Sequence, residues 1–419
     1  MSNKTQTAQK QRLVVIGNGM AGMRVVEELL DVAPDLYEIT VFGAEPHGNY
    51  NRIMLSPVLA GEKTIDEIML NTPEWYAANN ITLYTGDPVV DVQRGRRVVV
   101  SQSGLEIPYD RLLIATGSNP FILPVPGKEL PGVVSFRDAY DVDTMVAAAE
   151  EHQHAVVIGG GLLGLEAAHG LQKRGMTVTV VHIFENLMER QLDELSAHLL
   201  KQSLEEKGVE FEMGVQTHAL LGKKRVEALQ FADGRKIPAS LVVMAAGVRP
   251  NIELAQSIGL HCERGIVVND TMQTYDPKIY AVGECAQHRG NCYGLVAPLW
   301  DQARVCANHL ASHGVGAYAG TVVSTSLKVS GINLFSAGQF DGGEGTESLV
   351  YRDPKQQTYK RLIIKDNKLI GAVMYGDAAD GAWYFELIQN GVDISAARHK
   401  LMFGKAYAEP LLDSIPAAA

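Results

Sequence analysis

The chain predicts an α/β fold: two Rossmann-like dinucleotide-binding domains, one inserted in the other, followed by a C-terminal α+β domain. Three observations lead there. A glycine-rich turn occurs twice, as Gly17, Gly19 and Gly22 in LVVIGNGMAG and as Gly159, Gly161 and Gly164 in AVVIGGGLLG. Each copy follows a β-branched apolar run and opens into helical periodicity, the context such a turn needs before it carries meaning. From about residue 321 the texture changes to short alternating strands followed by a single helix, which reads as α+β and not as repeated βαβ units.

In chain order, residues 12–17 predict a strand, 20–31 a helix and 38–43 the next strand, with further strands at 81–84 and 97–101. The run RLLIATGSNP, residues 111–120, reads as a buried strand stopped by a Gly/Ser/Asn/Pro cluster. The pattern then restarts: a helix at 138–152, a strand at 154–159, a helix at 162–174, a strand at 177–182 and a long helix at 193–207. Strand signals near 209–213, 225–231 and 241–246 lead into a return segment at 247–251. KIYAVGECA, residues 278–286, is another buried strand ending in glycine, followed by a helix at 299–313. Five strands are expected at 322–329, 334–340, 347–352, 358–365 and 368–374, then a helix at 380–390 and a loosely held tail, AYAEPLLDSIPAAA. The expected domains are 1–118 with 247–320, 119–246, and 321–419.

The spacing of the turns has a physical reason. The first glycine allows the sharp turn, the second lets backbone amides approach a pyrophosphate, and the third lets the helix pack close to the strand. The helix N-terminus then favours the negative charge. Two such turns suggest two dinucleotides on one polypeptide. Glu45 follows the second strand, where an acid commonly binds a ribose diol; the DVAPDLY connection makes its interval from Gly17 longer than the minimal unit.

Composition narrows the alternatives. A formal charge of −11 argues against a nucleic-acid surface, and 46 % hydrophobic with 20 % charged residues is ordinary globular composition. No run approaches a membrane span, and the polar start MSNKTQTAQKQR has no secretory apolar core. Cys262, Cys285, Cys292 and Cys306 form no CxxC pair, and the 12 histidines no ligand spacing, so no metal is expected and the thiols read as those of a reduced, cytoplasmic protein.

The set IGNGMAG, ATG, IGGGLLG, GVRPN and IYAVGECA resembles the pyridine nucleotide–disulfide oxidoreductase superfamily over roughly residues 11–320. The resemblance implies that Gly17, Gly19 and Gly22 hold the ADP part of FAD, and that Gly159, Gly161 and Gly164 hold NADH or NADPH. It places Ala115, Thr116 and Gly117 at the close of the first FAD segment, Gly247 and Arg249 in the return segment, and Gly283 and Glu284 near the ribityl chain. The family usually has Asp where this chain has Glu284. Residues 43–61 contain no cysteine, so the thiolate that disulfide reduction and single-cysteine peroxidase chemistry require is missing. What remains is transfer from reduced flavin to a protein-bound centre.

YNRIMLSP (50–57), MERQLD (188–193) and TSLKVSGINLFSAG (325–338) are similar to the flavin modules of assimilatory NAD(P)H nitrite reductases and of nitrate reductase electron-transfer subunits. Related ferredoxin reductases usually have lysine where Pro57 stands. Arg52 is a candidate flavin-side contact or a surface arginine, and Glu166 is expected near the nicotinamide or as a solvated helix charge. His182 occupies the position where NAD-preferring sites often have an acid, with Glu185 as a possible substitute. GLVAPLWDQA (294–303) is similar to the segment beside the flavin pyrimidine, with Pro298, Trp300 and Gln302 as exposed candidates and Trp300 read as packing.

The resemblance therefore implies an FAD-containing NAD(P)H reductase whose acceptor is a separate protein, a nitrite or nitrate reductase subunit, a ferredoxin or a rubredoxin. The chain has none of the cysteine-ligated cluster and siroheme domains that follow this module in nitrite reductases, so an acceptor on another polypeptide is expected. A non-enzymatic NADH-responsive flavoprotein and a membrane-surface quinone reductase are alternatives, the latter disfavoured by the short acidic tail. The region 321–405 is read as a homodimer face or an acceptor face.

Overall fold

The computed structural model describes residues 10–314, 316–329 and 331–412. The chain divides into two compact units. One comprises residues up to Leu55 with Lys63–Asn119 and Val248–Thr321; the other comprises Ser56–Glu62, Pro120–Gly247 and the chain from Val322 onward.

The first unit is built on a parallel five-stranded sheet in the order Ile279–Ala281, Arg111–Ile114, Gln11–Ile16, Tyr37–Phe42, Ile81–Tyr84. The strand that feeds the glycine turn is central. A strand covered on both faces has to be apolar along its length, and Leu13, Val14, Val15, Leu112, Leu113 and Ile114 are all buried. The Met20–Val32 helix buries Met23, Val25, Val26 and Leu29 as its apolar stripe. It packs against the Val296–Leu310 helix, whose last carbonyl, on Leu310, accepts a 2.9 Å hydrogen bond from the Tyr37 hydroxyl.

The second unit repeats the arrangement. Its parallel sheet runs Val209–Glu212, Thr177–Val181, His154–Ile158, Leu241–Met244, Val133–Ser135, again with the strand before the glycine turn in the middle. A small antiparallel sheet of Thr217–Leu221, Ala228–Phe231 and Lys236–Pro238 accompanies it.

The same unit contains an antiparallel sheet in the order Ser324–Val329, Ile332–Gly338, Lys368–Tyr375, Thr358–Lys365, Glu347–Asp353. The Gly381–Asn390 helix packs on it, with Trp383 and Tyr384 joining Leu362, Ile364, Ala372 and Met374 in one core. Asp193 ties this sheet to the Glu194–Glu205 helix. One carboxylate oxygen caps the helix, accepting from the Ser196 amide at 3.1 Å. The other accepts from the Tyr359 hydroxyl at 2.5 Å and from Arg361 at 3.2 Å. These bonds outweigh the burial of Asp193 and hold its carboxyl below the usual range.

Two expectations need correcting. The tail was expected to be loose from residue 406, yet Lys405–Leu412 is a helix with Ala408 buried; residues 413–419 lie outside the described residues. The run at 111–120 is two strands, Arg111–Ile114 and Ser118–Pro120, because Ala115–Gly117 turns over the glycine loop. Among the described residues no helix is long and apolar enough to cross a membrane.

Candidate nucleotide sites

In the first unit the turn is enforced by the neighbouring strand. Gly17 has φ +112°, and a Cβ there would lie 2.2 Å from the carbonyl oxygen of Ala115. A Cβ on Gly22 would lie 2.6 Å from the carbonyl oxygen of Gly17. Both positions therefore exclude any side chain. A Cβ on Gly19 would meet nothing within 4 Å, and no side chain caps the Met20–Val32 helix. The first-turn amides of an α-helix have no intrahelical partner, so an open, positively polarised helix end faces the space above Gly19. Asn18, between the glycines, donates to the His47 carbonyl at 3.3 Å and accepts from the Tyr76 hydroxyl at 2.7 Å.

Glu45 lies three residues beyond the Tyr37–Phe42 strand. Its carboxylate accepts from the Tyr50 hydroxyl at 2.6 Å and pairs with Arg52 at 2.5 Å. The guanidinium also lies over the Tyr50 ring, 5.2 Å from its centroid. Arg52, expected as a flavin-side contact or a surface arginine, is thus engaged with Glu45. Thr116 donates to the Asn251 carbonyl at 2.7 Å, and the Gly117 carbonyl accepts from the Asn251 amide at 2.9 Å. Further along, Ser118 donates to Glu284 at 2.9 Å, and the Gly283 amide donates to Gln302 Oε1 at 2.8 Å. Pro298 and Gln302 are buried where exposure was expected, because both sit on the packed face of the Val296–Leu310 helix. Trp300 packs beneath Arg24, whose guanidinium is 5.5 Å from the ring centroid.

The second loop has the same construction. Gly159 has φ +127°, and its Cβ would fall 2.3 Å from the carbonyl oxygen of Ala245; that of Gly164 would fall 2.0 Å from the carbonyl oxygen of Gly159. A Cβ on Gly161 would again meet nothing within 4 Å, above a helix, Leu162–Lys173, with no side-chain cap. Ala245 is the counterpart of Ala115 and was missed from the sequence. The signal was available, since Ala245 stands two residues before Gly247 as Ala115 does before Gly117. The Gly247 carbonyl accepts from the Phe121 amide at 2.8 Å, and Arg249 is exposed.

The segment after the second strand differs. His182 is buried, with 7 % exposure, and its Nδ1 accepts a 3.0 Å hydrogen bond from the Gly160 amide. That bond leaves the proton on Nε2, which lies 3.3 Å from Glu189 Oε2. The ring is locked against the glycine loop and is not open to a ribose, as its place in the sequence suggested. Glu185, the expected substitute, folds over Gly214, where a Cβ would strike its carboxylate oxygen at 2.1 Å. Glu166 is not a solvated helix charge: its carboxylate accepts from the Ser56 hydroxyl at 2.7 Å, and burial pushes its carboxyl above the usual range while Ser56 pulls it back. The four thiols are free; Cys285 and Cys306 are buried, and desolvation disfavours their thiolates.

Both loops fit a dinucleotide, because each leaves space at its middle glycine and an uncapped helix end beside it. In the first unit the buried Gln302 Nε2 has no hydrogen-bond partner among the described residues, a donor of the kind a cofactor carbonyl satisfies.

Residues 11–324 match the pyridine nucleotide-disulphide oxidoreductase family, and the chain belongs to it. Residues 324–392 match the rubredoxin NAD+ reductase C-terminal domain. Over 386 residues the chain is 51 % identical to the NAD(P)H nitrite reductase of Bacillus subtilis strain 168, covering 92 % of this chain and 48 % of that protein. It is 44 % identical over 410 residues to the assimilatory nitrate reductase electron transfer subunit of the same organism, covering 98 % and 53 %. The chain thus spans about half the length of these curated relatives. Among solved structures it is similar to putidaredoxin reductase in covalent complex with putidaredoxin, with a TM-score of 0.85 and 27 % identity over 96 % of this chain and 100 % of that one. An NAD-dependent persulfide reductase from A. fulgidus gives a TM-score of 0.86 at 27 % identity, over 96 % and 80 %.

Proposed function

We propose that the chain is the flavin-bearing input module of an assimilatory nitrite or nitrate reductase system, taking electrons from NADH or NADPH and delivering them to an acceptor protein through FAD. The observation that carries this is the duplicated loop: two glycine turns of the same construction, each central in its own parallel sheet, in a chain whose relatives include a nitrite reductase and a nitrate reductase electron transfer subunit. FAD, when bound, supplies the conversion of a two-electron hydride into single-electron steps.

The chain's own residues bind and orient. The amides that open the Met20–Val32 helix would face the FAD pyrophosphate, and Glu45, held by Tyr50 and Arg52, would accept from the adenosine ribose. Gln302 Nε2 would donate a hydrogen bond to the flavin side, and the uncapped start of the Val296–Leu310 helix would favour negative charge there. The Leu162–Lys173 helix would take the pyrophosphate of the pyridine nucleotide. Glu166, half-buried on that helix, would keep its proton to higher pH than an exposed carboxyl. No nucleophile is required, consistent with residues 43–61 containing no cysteine.

A second reading, a rubredoxin or ferredoxin reductase, is favoured by the match of residues 324–392 to the rubredoxin NAD+ reductase C-terminal domain and by the likeness to putidaredoxin reductase. The two differ only in the acceptor. The test is to load the protein with FAD, reduce it with NADH or NADPH, and follow reoxidation by a nitrite or nitrate reductase partner, a rubredoxin and a ferredoxin. Fastest reoxidation by the nitrogen-assimilation partner supports the first reading. Preference for rubredoxin or ferredoxin supports the second, and slow reoxidation by all of them contradicts both.

A further inference from the structure

A βαβ nucleotide site commonly reads the adenosine ribose with an acid at the end of its second strand. The first unit follows that rule with Glu45. The second unit breaks it, since the Thr177–Val181 strand is followed by His182, and His182 has no nitrogen to spare. Something else has to meet the ribose if a pyridine nucleotide sits on the Gly159 loop, and this inference rests on that reading.

The chain leaves His182 through exposed Ile183 and Phe184 and then returns. Its return is fixed by a second bond to the same glycine: the Met188 amide donates to the Gly160 carbonyl at 3.0 Å. Met188 takes up φ +50°, a strained conformation for a residue with a side chain that persists only where surroundings impose it. Burial of Leu187, Met188 and Leu192 supplies that constraint. Both ends of the excursion are therefore pinned to Gly160, one to its amide and one to its carbonyl. Glu189 comes next, with Oε2 3.3 Å from His182 Nε2 and a side chain 30 % exposed.

A carboxylate has room for about four hydrogen bonds, and Glu189 has few of them committed. One oxygen faces His182; the other is 3.8 Å from the guanidinium of Arg190, which is 85 % exposed and offers weak, solvent-screened compensation. Position 160 is itself part of the device. A Cβ on Gly160 would lie 2.9 Å from the His182 ring and 2.7 Å from Leu187, so only glycine lets the ring reach the loop.

We infer that Glu189, positioned by His182, is the carboxylate that accepts from the 2′-hydroxyl of the adenosine ribose, and that it selects NADH over NADPH by repelling a 2′-phosphate. A neutral hydroxyl can donate to Glu189. A phosphate there would bring about two negative charges against an anion that is only partly solvated.

The test is binding of ADP-ribose and 2′-phospho-ADP-ribose to the FAD-loaded full chain, measured by calorimetry without turnover. ADP-ribose is expected to bind about tenfold tighter or more, the scale of one well-placed charge. Glu189→Gln, which keeps the shape and removes the charge, is expected to lower that ratio by about tenfold. His182→Phe is expected to lower it too; an equal loss of both ligands would instead mark a merely structural role and overturn the positioning. Arg190→Ala is expected to leave the preference intact. An unchanged ratio in Glu189→Gln overturns the inference. So does a wild-type preference for the 2′-phosphate that disappears in Arg190→Ala. If neither fragment binds the wild type, the nucleotide reading of this unit fails and takes the inference with it.

Discussion

The Gly17 and Gly159 loops share the contacts that shape the turn and part company beyond their second strands. In each, the first glycine sits beneath the carbonyl of an alanine from the adjacent strand, at 2.2 and 2.3 Å from where a Cβ would stand. In each, the third glycine closes on the carbonyl of the first. The position between the glycines differs: Asn18 hydrogen-bonds outward, whereas Gly160 gives way to the His182 ring. The acids differ as well, Glu45 being set by Tyr50 and Arg52 and Glu189 by His182. A pyrophosphate is the same in every dinucleotide, so the backbone that would receive it has one solution. The rim is where one site is distinguished from another.

The largest expected effects come from breaking the shared part. Gly17→Ala and Gly159→Ala each force a Cβ into a backbone carbonyl at positive φ, costing about 3 kcal/mol or on the order of 100-fold in affinity. The losses should separate: Gly17→Ala loses FAD and its colour, while Gly159→Ala stays yellow and loses pyridine nucleotide in a titration. Loss of both ligands in either variant, with the fold intact, would contradict two independent sites.

On the proposed reading, Glu45→Ala would remove a charge-assisted ribose contact worth about 1.5–3 kcal/mol, so FAD should dissociate roughly tenfold more readily or faster. Fluorescence of released flavin measures it, and ADP-ribose affinity should not change. Exchanging the middle positions sharpens the contrast further. Gly160→Asn should expel His182 and cost about 1–3 kcal/mol in urea unfolding. The reverse change, Asn18→Gly, loses only two hydrogen bonds, about 1–2 kcal/mol.

The smallest effect is titration of Glu166. Its carboxyl is raised in the folded protein by burial, so the unfolded chain gives up its proton first as pH rises. Stability should therefore fall from about pH 4.5, the ordinary carboxylate range, until the folded group has also ionised, and then level off. Glu166→Gln should lack that fall, and Ser56→Ala, losing the 2.7 Å bond that favours the charged form, should extend it to higher pH. Denaturant midpoints across this pH range decide it.

Much of the fold was legible because its strands are apolar throughout and its helices periodic. The strand at 81–84 and the onset of the helix at 162 were read to the residue. Three-residue strands such as Val133–Ser135 and Lys236–Pro238 were not, since a run that short has no period. The first and third glycines of each turn were legible because sterics admit nothing else there. Arg52, His182 and Glu189 were not, because a side chain's partner depends on how a loop returns, and the return of residues 183–189 is set by buried Leu187 and Met188. Spacing along the chain cannot reveal that two residues seven positions apart share a hydrogen bond.

On the proposed reading, one polypeptide carries two nucleotide sites and electrons pass between their occupants. Anaerobic titration of the FAD-loaded protein with NADH and with NADPH, in wild type and Gly159→Ala, tests it most directly. Pyridine nucleotide is expected to bleach the yellow wild type and to leave Gly159→Ala yellow. A protein that takes up no FAD, or a flavin that neither nucleotide bleaches, would contradict it.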